Sequence, residues 1–359
     1  MGQFGRRKGK VFFGTVVALI IFAFTFPGCT ERKAPSNGGK PEGFIDDIKS
    51  TLKQILSGFI LFKKDKDYPD AVLKGHTFAV WCVKFSPDGK TLASGSMDDT
   101  VILWDFQKKE PVRVLKHHTK PVISVSFRPD GKALASGGRD ASVVIWSLPD
   151  GKVQEVLTGH SDSVWSVCFS PNGKRFASTG NDRQIILWDL ESAKPARILK
   201  GHSGSVNALA FAPDSETLAS GSDDGTVILW NSAAGKKIRE LKKHESWIKS
   251  LAFSPDGKTL ASGGMDQSII LWNWKSGEAI KTLTGHASGI FGLAFTPDGN
   301  TLVSGGPDQF IIAWDVRTGS QLKKFKNPYG YVLSIAASPD GKYAAAGCED
   351  KVIVLYRIR

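Results

Sequence analysis

Three residue types that act together in hydrolytic enzymes recur at fixed intervals along the chain. A histidine is followed 18 residues later by a serine and 22 residues later by an aspartate, as in His76, Ser94 and Asp98. Such a trio can activate a serine for nucleophilic attack. The same spacing recurs five more times, and a catalytic site is needed once, whereas a stabilising network is useful in every repeat. We therefore interpret the sets as structural, and we expect no catalytic residues and no enzymatic activity.

The remaining reactive side chains do not form a second candidate site. Six of the seven histidines belong to these sets and the seventh, His117, precedes His118, so none is left to act as a separate general base or to build a zinc site. The four cysteines, at positions 29, 82, 168 and 348, do not lie at metal-ligand spacing, and no phosphate loop or dinucleotide fingerprint is present. We expect no metal and no cofactor, and buried cysteines that act as small apolar residues.

The sets belong to a repeat of 42 residues that occurs seven times. A tryptophan follows each aspartate by six residues, and the six tryptophans are evenly spaced. The seventh repeat departs from the pattern, with Pro328, Ala346, Asp350 and Tyr356 in the four positions. The complete sets are His76–Ser94–Asp98–Trp104, His118–Ser136–Asp140–Trp146, His160–Ser178–Asp182–Trp188, His202–Ser220–Asp224–Trp230, His244–Ser262–Asp266–Trp272 and His286–Ser304–Asp308–Trp314.

Each repeat predicts four short strands. In the first repeat these are Val72–Lys74, Val80–Phe85, Leu92–Ser96 and Thr100–Asp105, with the turn sequence Ser-Pro-Asp-Gly between the second and third. The 38 glycines suit many tight turns, and the 10 tryptophans suit half-buried sheet surfaces. These features predict an all-β fold.

The period, the Gly-His corners and the Trp-Asp strand ends resemble the WD40 family over residues 66–359. The resemblance implies a seven-bladed β-propeller in which His, Ser, Asp and Trp form a buried hydrogen-bonded tetrad within each blade. The seventh blade lacks most of the tetrad, and we expect it to be the least stable. The chain ends three strands into that blade, so Pro69–Leu73 is expected to supply its outer strand and close the ring.

The resemblance also implies an interaction platform with a narrow top face near the start of each inner strand. Large apolar groups and one arginine fall at the corresponding positions, a composition typical of binding hot spots. The alternative for Trp81, Trp165 and Phe291 is packing between blades. The predicted partner-binding residues are Trp81, Met97, Arg139, Trp165, Trp247, Met265, Phe291 and Tyr331.

Two hypotheses for function follow from these features. The first is a non-catalytic scaffold, attached to the cell envelope, that binds proteins or peptides through the top face. The second is a ligand-sensing or carbohydrate-binding propeller, because aromatic side chains in a central funnel can also stack on sugars. Nucleic acid is an unlikely partner: of the net charge of +12, half lies in residues 1–65, and the propeller is only mildly basic.

The N-terminus, residues 1–29, has the pattern of a bacterial-type secretory signal. Four basic residues among the first ten precede an apolar run from Val11 to Phe26, and Gly28-Cys29 resembles the lipobox of bacterial lipoproteins. There the cysteine is lipidated, although Phe26 and Pro27 are atypical of that motif. Lipidation of Cys29, an uncleaved membrane anchor and simple secretion remain alternatives. The first two predict attachment to the membrane, with the propeller on the extracytoplasmic side. A cytosol-facing regulatory module anchored by Val11 to Phe26 is a topological variant.

Two further segments separate this signal from the propeller. Residues 30–43 contain two prolines and three glycines and predict a flexible linker. Residues 44–65 show apolar side chains at helical spacing, including Ile45, Ile48 and Leu52, and predict a short amphipathic helix. This helix is expected either to pack on the propeller or to lie on the membrane surface.

Overall fold

The computed structural model describes residues 68–358, which form 28 β-strands in seven four-stranded antiparallel sheets. The first strand along the chain is β1, Ala71–Lys74. The first three complete sheets, or blades, consist of β2 Val80–Phe85, β3 Thr91–Ser96, β4 Thr100–Asp105 and β5 Glu110–Lys116; β6 Val122–Phe127, β7 Ala133–Gly138, β8 Ser142–Ser147 and β9 Val153–Thr158; and β10 Val164–Phe169, β11 Phe176–Gly180, β12 Ile185–Asp189 and β13 Lys194–Leu199.

The remaining strands follow the same order from the inside of the ring outward. Blades 4 to 7 consist of β14 Val206–Phe211, β15 Thr217–Ser222, β16 Thr226–Asn231 and β17 Lys236–Lys242; β18 Ile248–Phe253, β19 Thr259–Gly264, β20 Ile269–Asn273 and β21 Glu278–Leu283; β22 Gly292–Phe295, β23 Thr301–Gly305, β24 Phe310–Asp315 and β25 Gln321–Lys326; and β26 Val332–Ala337, β27 Tyr343–Cys348 and β28 Val352–Arg357, with β1 outermost.

The ring closes through the two ends of the described chain. Strand β1 pairs antiparallel with β28, with Ala71 opposite Leu355 and Lys74 opposite Val352. Beside this ladder, the Asp70 N–H donates to the Leu355 carbonyl, and the Arg357 N–H donates to the Asp70 carboxylate. The inner strand β2 also contacts its neighbours β6 and β26, as every inner strand contacts the next. The expected seven-bladed closure is therefore confirmed.

The hydrophobic core lies between neighbouring blades. The third strand of blade 1, Thr-Val-Ile-Leu-Trp-Asp, has four consecutive buried side chains, because it is covered by a blade on each face. The outer strand β5 is mostly exposed. One cluster joins Leu73, Leu92 and Trp104 to Ile353 and Leu355 across the closing junction. The junction between blades 7 and 1 is thus packed in the same way as the others.

The turn after each inner strand is fixed by its own polar side chains. In blade 1 the Ser86 hydroxyl donates to Asp88 (2.6 Å), which also accepts the Lys90 N–H (3.0 Å). Gly89 has φ +69°, a region that glycine enters without strain. This sequence therefore predicts its turn correctly from local chemistry.

Candidate functional site

The structure brings the four residues of each complete set together inside one blade. In blade 1 the Trp104 indole N–H donates to Ser94 Oγ (2.8 Å), which lies 2.7 Å from His76 Nε2. His76 Nδ1 lies 2.8 Å from Asp98 Oδ2, and this carboxylate also accepts the Thr77 backbone N–H. Corresponding contacts of 2.7–2.9 Å link the sets beginning at His118, His160, His202, His244 and His286.

The aspartates are held in the ionised form by these contacts. Burial alone would raise the pKa of Asp98, but hydrogen bonds from His76, Thr100 and the Thr77 backbone outweigh it and leave the pKa well below its usual value. The pKa of the other five aspartates is lowered by the same balance of burial and histidine hydrogen bonding. Because an ionised carboxylate only accepts, Nδ1 of each histidine carries the proton that is donated to it.

These sets do not have the accessibility that hydrolysis requires. Ser94 has no exposed surface, and its oxygen is engaged by both His76 and Trp104. Gly75 shows how close the packing is: a Cβ built there would lie 2.8 Å from the Trp104 ring. A substrate therefore has no path to the hydroxyl, and the arrangement acts as a brace between the corner, the second strand and the third strand.

The seventh blade replaces the tetrad with different contacts. Tyr356 is fully buried, stacks on Phe325 with ring centroids 4.9 Å apart, and donates its hydroxyl to the Lys326 carbonyl (3.2 Å). The buried side chain of Asn327 donates from Nδ2 to the Gly330 carbonyl (3.0 Å) and to Cys348 Sγ (3.3 Å). Asn327 was not among the residues predicted from the sequence. Its only signal is a polar residue in the slot that most other corners fill with glycine.

The inner strands surround a central cavity of about 920 Å³. Of the predicted partner-binding residues, Trp81, Trp165, Trp247, Met265 and Phe291 line it. Trp81, Trp165 and Phe291 thus face the channel, and the alternative in which they pack between blades is not what the structure shows.

Three predicted residues lie away from the channel wall. Met97, Arg139 and Tyr331 are not among the side chains that line the cavity, and their role in binding a partner stays a prediction. Met97 lies in the turn between β3 and β4, where its N–H donates to the Ala79 carbonyl. Tyr331 directly precedes β26, and its carbonyl accepts the Glu349 N–H. These backbone bonds fix the side chains at the rim, and Tyr331 is 43% exposed there.

An arginine caps two of the channel tryptophans. The ring centroids of Trp81 and Trp165 lie 6.2 Å apart, and the Arg139 guanidinium lies 5.8 Å and 5.6 Å from them. These distances are within the range of cation–π attraction. Both indole nitrogens are buried and make no hydrogen bond with the described residues.

A polar group occupies the rim of blades 4 and 5. Lys249 Nζ lies 2.8 Å from Asp223 Oδ1, which also accepts the Asn207 side-chain N–H at 2.8 Å. The same ammonium lies 4.8 Å from the centroid of the Trp247 ring, and Trp247 is 51% exposed. An apolar surface with a paired charge at its edge is the composition of a protein-binding patch.

The three cysteines within residues 68–358 are free thiols. Cys82 and Cys348 are buried as expected, and burial raises the pKa of each thiol to about 12. Cys168 is only partly buried because it borders the channel.

Cys29, the signal at 1–29, the linker at 30–43 and the helix predicted within 44–65 lie outside the described residues. Within residues 68–358 there is no cluster of metal-ligating side chains, and no helix there is long and apolar enough to cross a membrane.

Family models match most of the propeller. The model described as WD domain, G-beta repeat, matches residues 68–105, 109–147 and 319–357. The model described as Echinoderm microtubule-associated protein second beta-propeller matches residues 164–329.

Several curated proteins are similar to this chain over segments shorter than one 42-residue repeat. Protein Mut11 of Chlamydomonas reinhardtii is 73% identical over 33 residues, which is 9% of each chain. The Notchless protein homolog of Arabidopsis thaliana is 70% identical over 33 residues, 9% of this chain and 7% of that protein. The WD repeat, SAM and U-box domain-containing protein 1 of Gallus gallus is 56% identical over 39 residues, 11% of this chain and 8% of that protein. Each match spans less than a tenth of the relative's own length. With the strand order and the repeated side-chain network, these matches identify the chain as a seven-bladed β-propeller built from WD40 repeats.

Proposed function

We propose that the propeller is a non-catalytic scaffold that binds a protein or peptide through its top face. WD40 propellers generally act as protein-interaction scaffolds. The observation that carries the proposal is the pair Trp247 and Tyr331, two aromatic side chains exposed by 51% and 43% at equivalent positions of blades 5 and 7. Large aromatic groups supply much of the energy of protein interfaces at a small cost in side-chain entropy.

The rigidity of the rim supports this role. The Met265 N–H donates to the Trp247 carbonyl at 2.7 Å, and the equivalent bond reaches Tyr331 from Glu349 at 3.0 Å. The exposed rings are therefore presented on loops that are already ordered, and a partner pays little to immobilise them. Arg139, held over Trp81 and Trp165, adds a cationic group at the same end of the channel.

We further propose that the protein is attached to the cell envelope by its N-terminus, with the propeller on the extracytoplasmic side. The support is the sequence of residues 1–29, with a basic start, an apolar run and Gly28-Cys29. Lipidation of Cys29 is the preferred mode of attachment, and an uncleaved anchor is the alternative. Cys29→Ser is expected to abolish fatty-acid labelling and retention in the membrane fraction. Unchanged retention together with no labelling of the wild-type protein would exclude the lipoprotein.

A peptide-display experiment tests the top face. Peptides selected on the full-length protein from a random library should lose at least tenfold in affinity for the variant Trp247→Ala/Tyr331→Ala, since each anchor contributes about 1–2 kcal/mol or more. The control is Ile238→Ala, because Ile238 is also 51% exposed but lies on the outer strand β17. Equal affinities for the top-face variant and the wild-type protein would move the binding site elsewhere.

A carbohydrate-binding propeller is the second candidate function. The observation that favours it is the channel, whose lining includes Trp81, Trp165 and Phe291, with room for a small ligand. Aromatic faces can stack on sugar rings. A glycan array separates the two candidates: saturable binding to a defined glycan that is lost in Trp165→Ala would favour this function over the scaffold.

A further inference from the structure

The channel contains a charge that no described residue neutralises. Its lining includes two lysines, Lys84 and Lys249, and no aspartate or glutamate among the described residues. Lys249 is paired with Asp223 at 2.8 Å, whereas Lys84 forms no ion pair or hydrogen bond with any residue of 68–358. Lys84 is exposed where it borders the channel, and an unpaired ammonium group beside low-dielectric walls attracts anions.

Lys84 lies deeper in the channel than the aromatic rim. It follows Trp81 by three residues on β2, which places it about 10 Å farther along the strand at about 3.3 Å per residue. The inner strand ends one residue later at Phe85, and the Ser-Pro-Asp-Gly turn begins there. Lys84 is therefore nearer to the end of the channel that carries these turns, opposite the rim that carries Trp247 and Tyr331.

The equivalent residues of the other blades leave space beside Lys84. At this level of the inner strands the next two blades contribute a hydroxyl, Ser126, and a thiol, Cys168. The other four blades have alanine at this level, so none of them supplies a side chain that could pair with the Lys84 ammonium. The alanines are Ala210, Ala252, Ala294 and Ala336.

The nearby thiols and hydroxyls suit an anion. Burial raises the pKa of the thiols of Cys82 and Cys168, so both stay neutral beside Lys84. Ser126 Oγ accepts the Phe169 backbone N–H at 3.2 Å, and Ser334 Oγ accepts the Val83 N–H at 3.0 Å. Because each hydroxyl oxygen acts as an acceptor in these bonds, its own proton remains available for donation to an anion.

Two carboxylates in the turns at this end of the channel accept hydrogen bonds within their own turns. Asp88 accepts hydrogen bonds from Ser86 and from the Lys90 backbone within its own turn, and Asp340 accepts the Ser338 hydroxyl in the same manner. The channel thus offers an unpaired ammonium, hydroxyl donors and open volume together. We propose that this end of the central channel is an oxyanion site, in which Lys84 and the Ser126 hydroxyl bind a carboxylate or phosphate group of a small molecule or an acidic peptide. This site is separate from the top face and does not depend on the proposed scaffold function.

Cys168 provides a reporter for the test, because it borders the channel at the level of Lys84. The full-length protein is alkylated with iodoacetate, which is anionic, or with iodoacetamide, which is neutral, and labelling of Cys168 is followed by peptide mass spectrometry. Because both reagents react with the thiolate, the ratio of the two alkylation rates does not depend on the fraction of Cys168 that is ionised. We expect Lys84→Gln to lower the iodoacetate-to-iodoacetamide ratio several-fold, and Lys84→Arg to preserve it. Lys90→Gln removes the same charge six residues away, outside the channel, and should leave the ratio unchanged.

Binding is measured with the same reporter and by calorimetry, with inorganic phosphate and citrate as small anions and a hexaglutamate peptide as the source of carboxylate side chains. We expect at least one probe to protect Cys168 saturably, and Lys84→Gln to weaken that protection about tenfold or more, as loss of a charge-assisted hydrogen bond does. The probe that protects identifies the source of the oxyanion. Absence of saturable protection by all three probes, or equal protection in a Lys84→Gln protein of unchanged melting temperature, would overturn the proposal.

Discussion

The substitution Ser94→Ala tests whether the recurring histidine, serine, aspartate and tryptophan serve stability. Ser94 Oγ is the one atom that joins the Trp104 indole N–H, at 2.8 Å, to His76 Nε2, at 2.7 Å. Alanine leaves both nitrogens buried without a partner, and each costs about 1–3 kcal/mol. The expected loss in the free energy of unfolding is therefore about 2–6 kcal/mol, which exceeds the effect of removing one hydroxyl from an exposed site.

The natural sequence contains a comparison for this substitution. Blade 7 has Ala346 in the serine position and Tyr356 in the tryptophan position. The Tyr356 hydroxyl donates to a backbone carbonyl and does not need a serine as its acceptor. Alanine is thus tolerated where no indole N–H needs an acceptor. It follows that Trp104→Phe should cost less in a Ser94→Ala background than in the wild-type protein, with a coupling energy of about 1–2 kcal/mol.

Urea and thermal unfolding of the two single variants and the double variant measure this cycle, provided that the slope with denaturant stays constant. Ser161→Ala is the control, because Ser161 is exposed in the loop after His160. The reasoning would be refuted by a Ser94→Ala protein within about 0.5 kcal/mol of the wild type, or by additive single substitutions.

Three further predictions follow from contacts described above. Stability should fall as the pH drops below about 4, because the tetrad aspartates have lowered pKa values in the folded state. Their contribution to stability is complete above the unfolded-state pKa and is lost as they protonate. Asp98→Asn should make the melting temperature less dependent on pH in this range. Deleting residues 66–74 should lower the melting temperature by more than about 5 °C, because the deletion exposes β28 and removes Leu73 from the core. An unchanged melting curve would disprove closure by this strand. Among the inner strands, amide hydrogen exchange should be fastest in blade 7. Tyr356→Phe should accelerate exchange there and lower the free energy of unfolding by about 1 kcal/mol. Equal protection of all seven blades would refute the prediction.

Residue spacing was sufficient to predict the architecture, because the turns and strands of each repeat form through contacts between residues close in sequence. The turn at Ser86-Pro87-Asp88-Gly89 forms from contacts within four residues, and the 42-residue interval fixes the number of sheets. Closure by residues 69–73 followed from counting strands. The bulges that shift the register, such as the one between Val80 and Cys82, have no local signal and were not predicted.

The candidate sites were less predictable, because position in a repeat does not fix the direction of a side chain. Trp81 and Tyr331 were assigned to one surface, yet Trp81 lies within β2 and lines the channel, whereas Tyr331 directly precedes β26 and is exposed at the rim. The contacts of Asn327 depend on Cys348 and the chain fold around Gly330, which a single repeat does not encode. Lys84 has a sequence signal only when all seven repeats are aligned, as the one charge among small residues.

The pairing of β1 with β28 has a mechanical consequence. Tension on the segment that precedes residue 71 is transmitted to the ring through a strand of four paired residues, which is shorter than any strand inside the blade that it completes. Under load the ring would therefore part at this seam before any other blade gives way. The strength of this four-residue pairing therefore sets the force at which tension from the N-terminal side opens the ring.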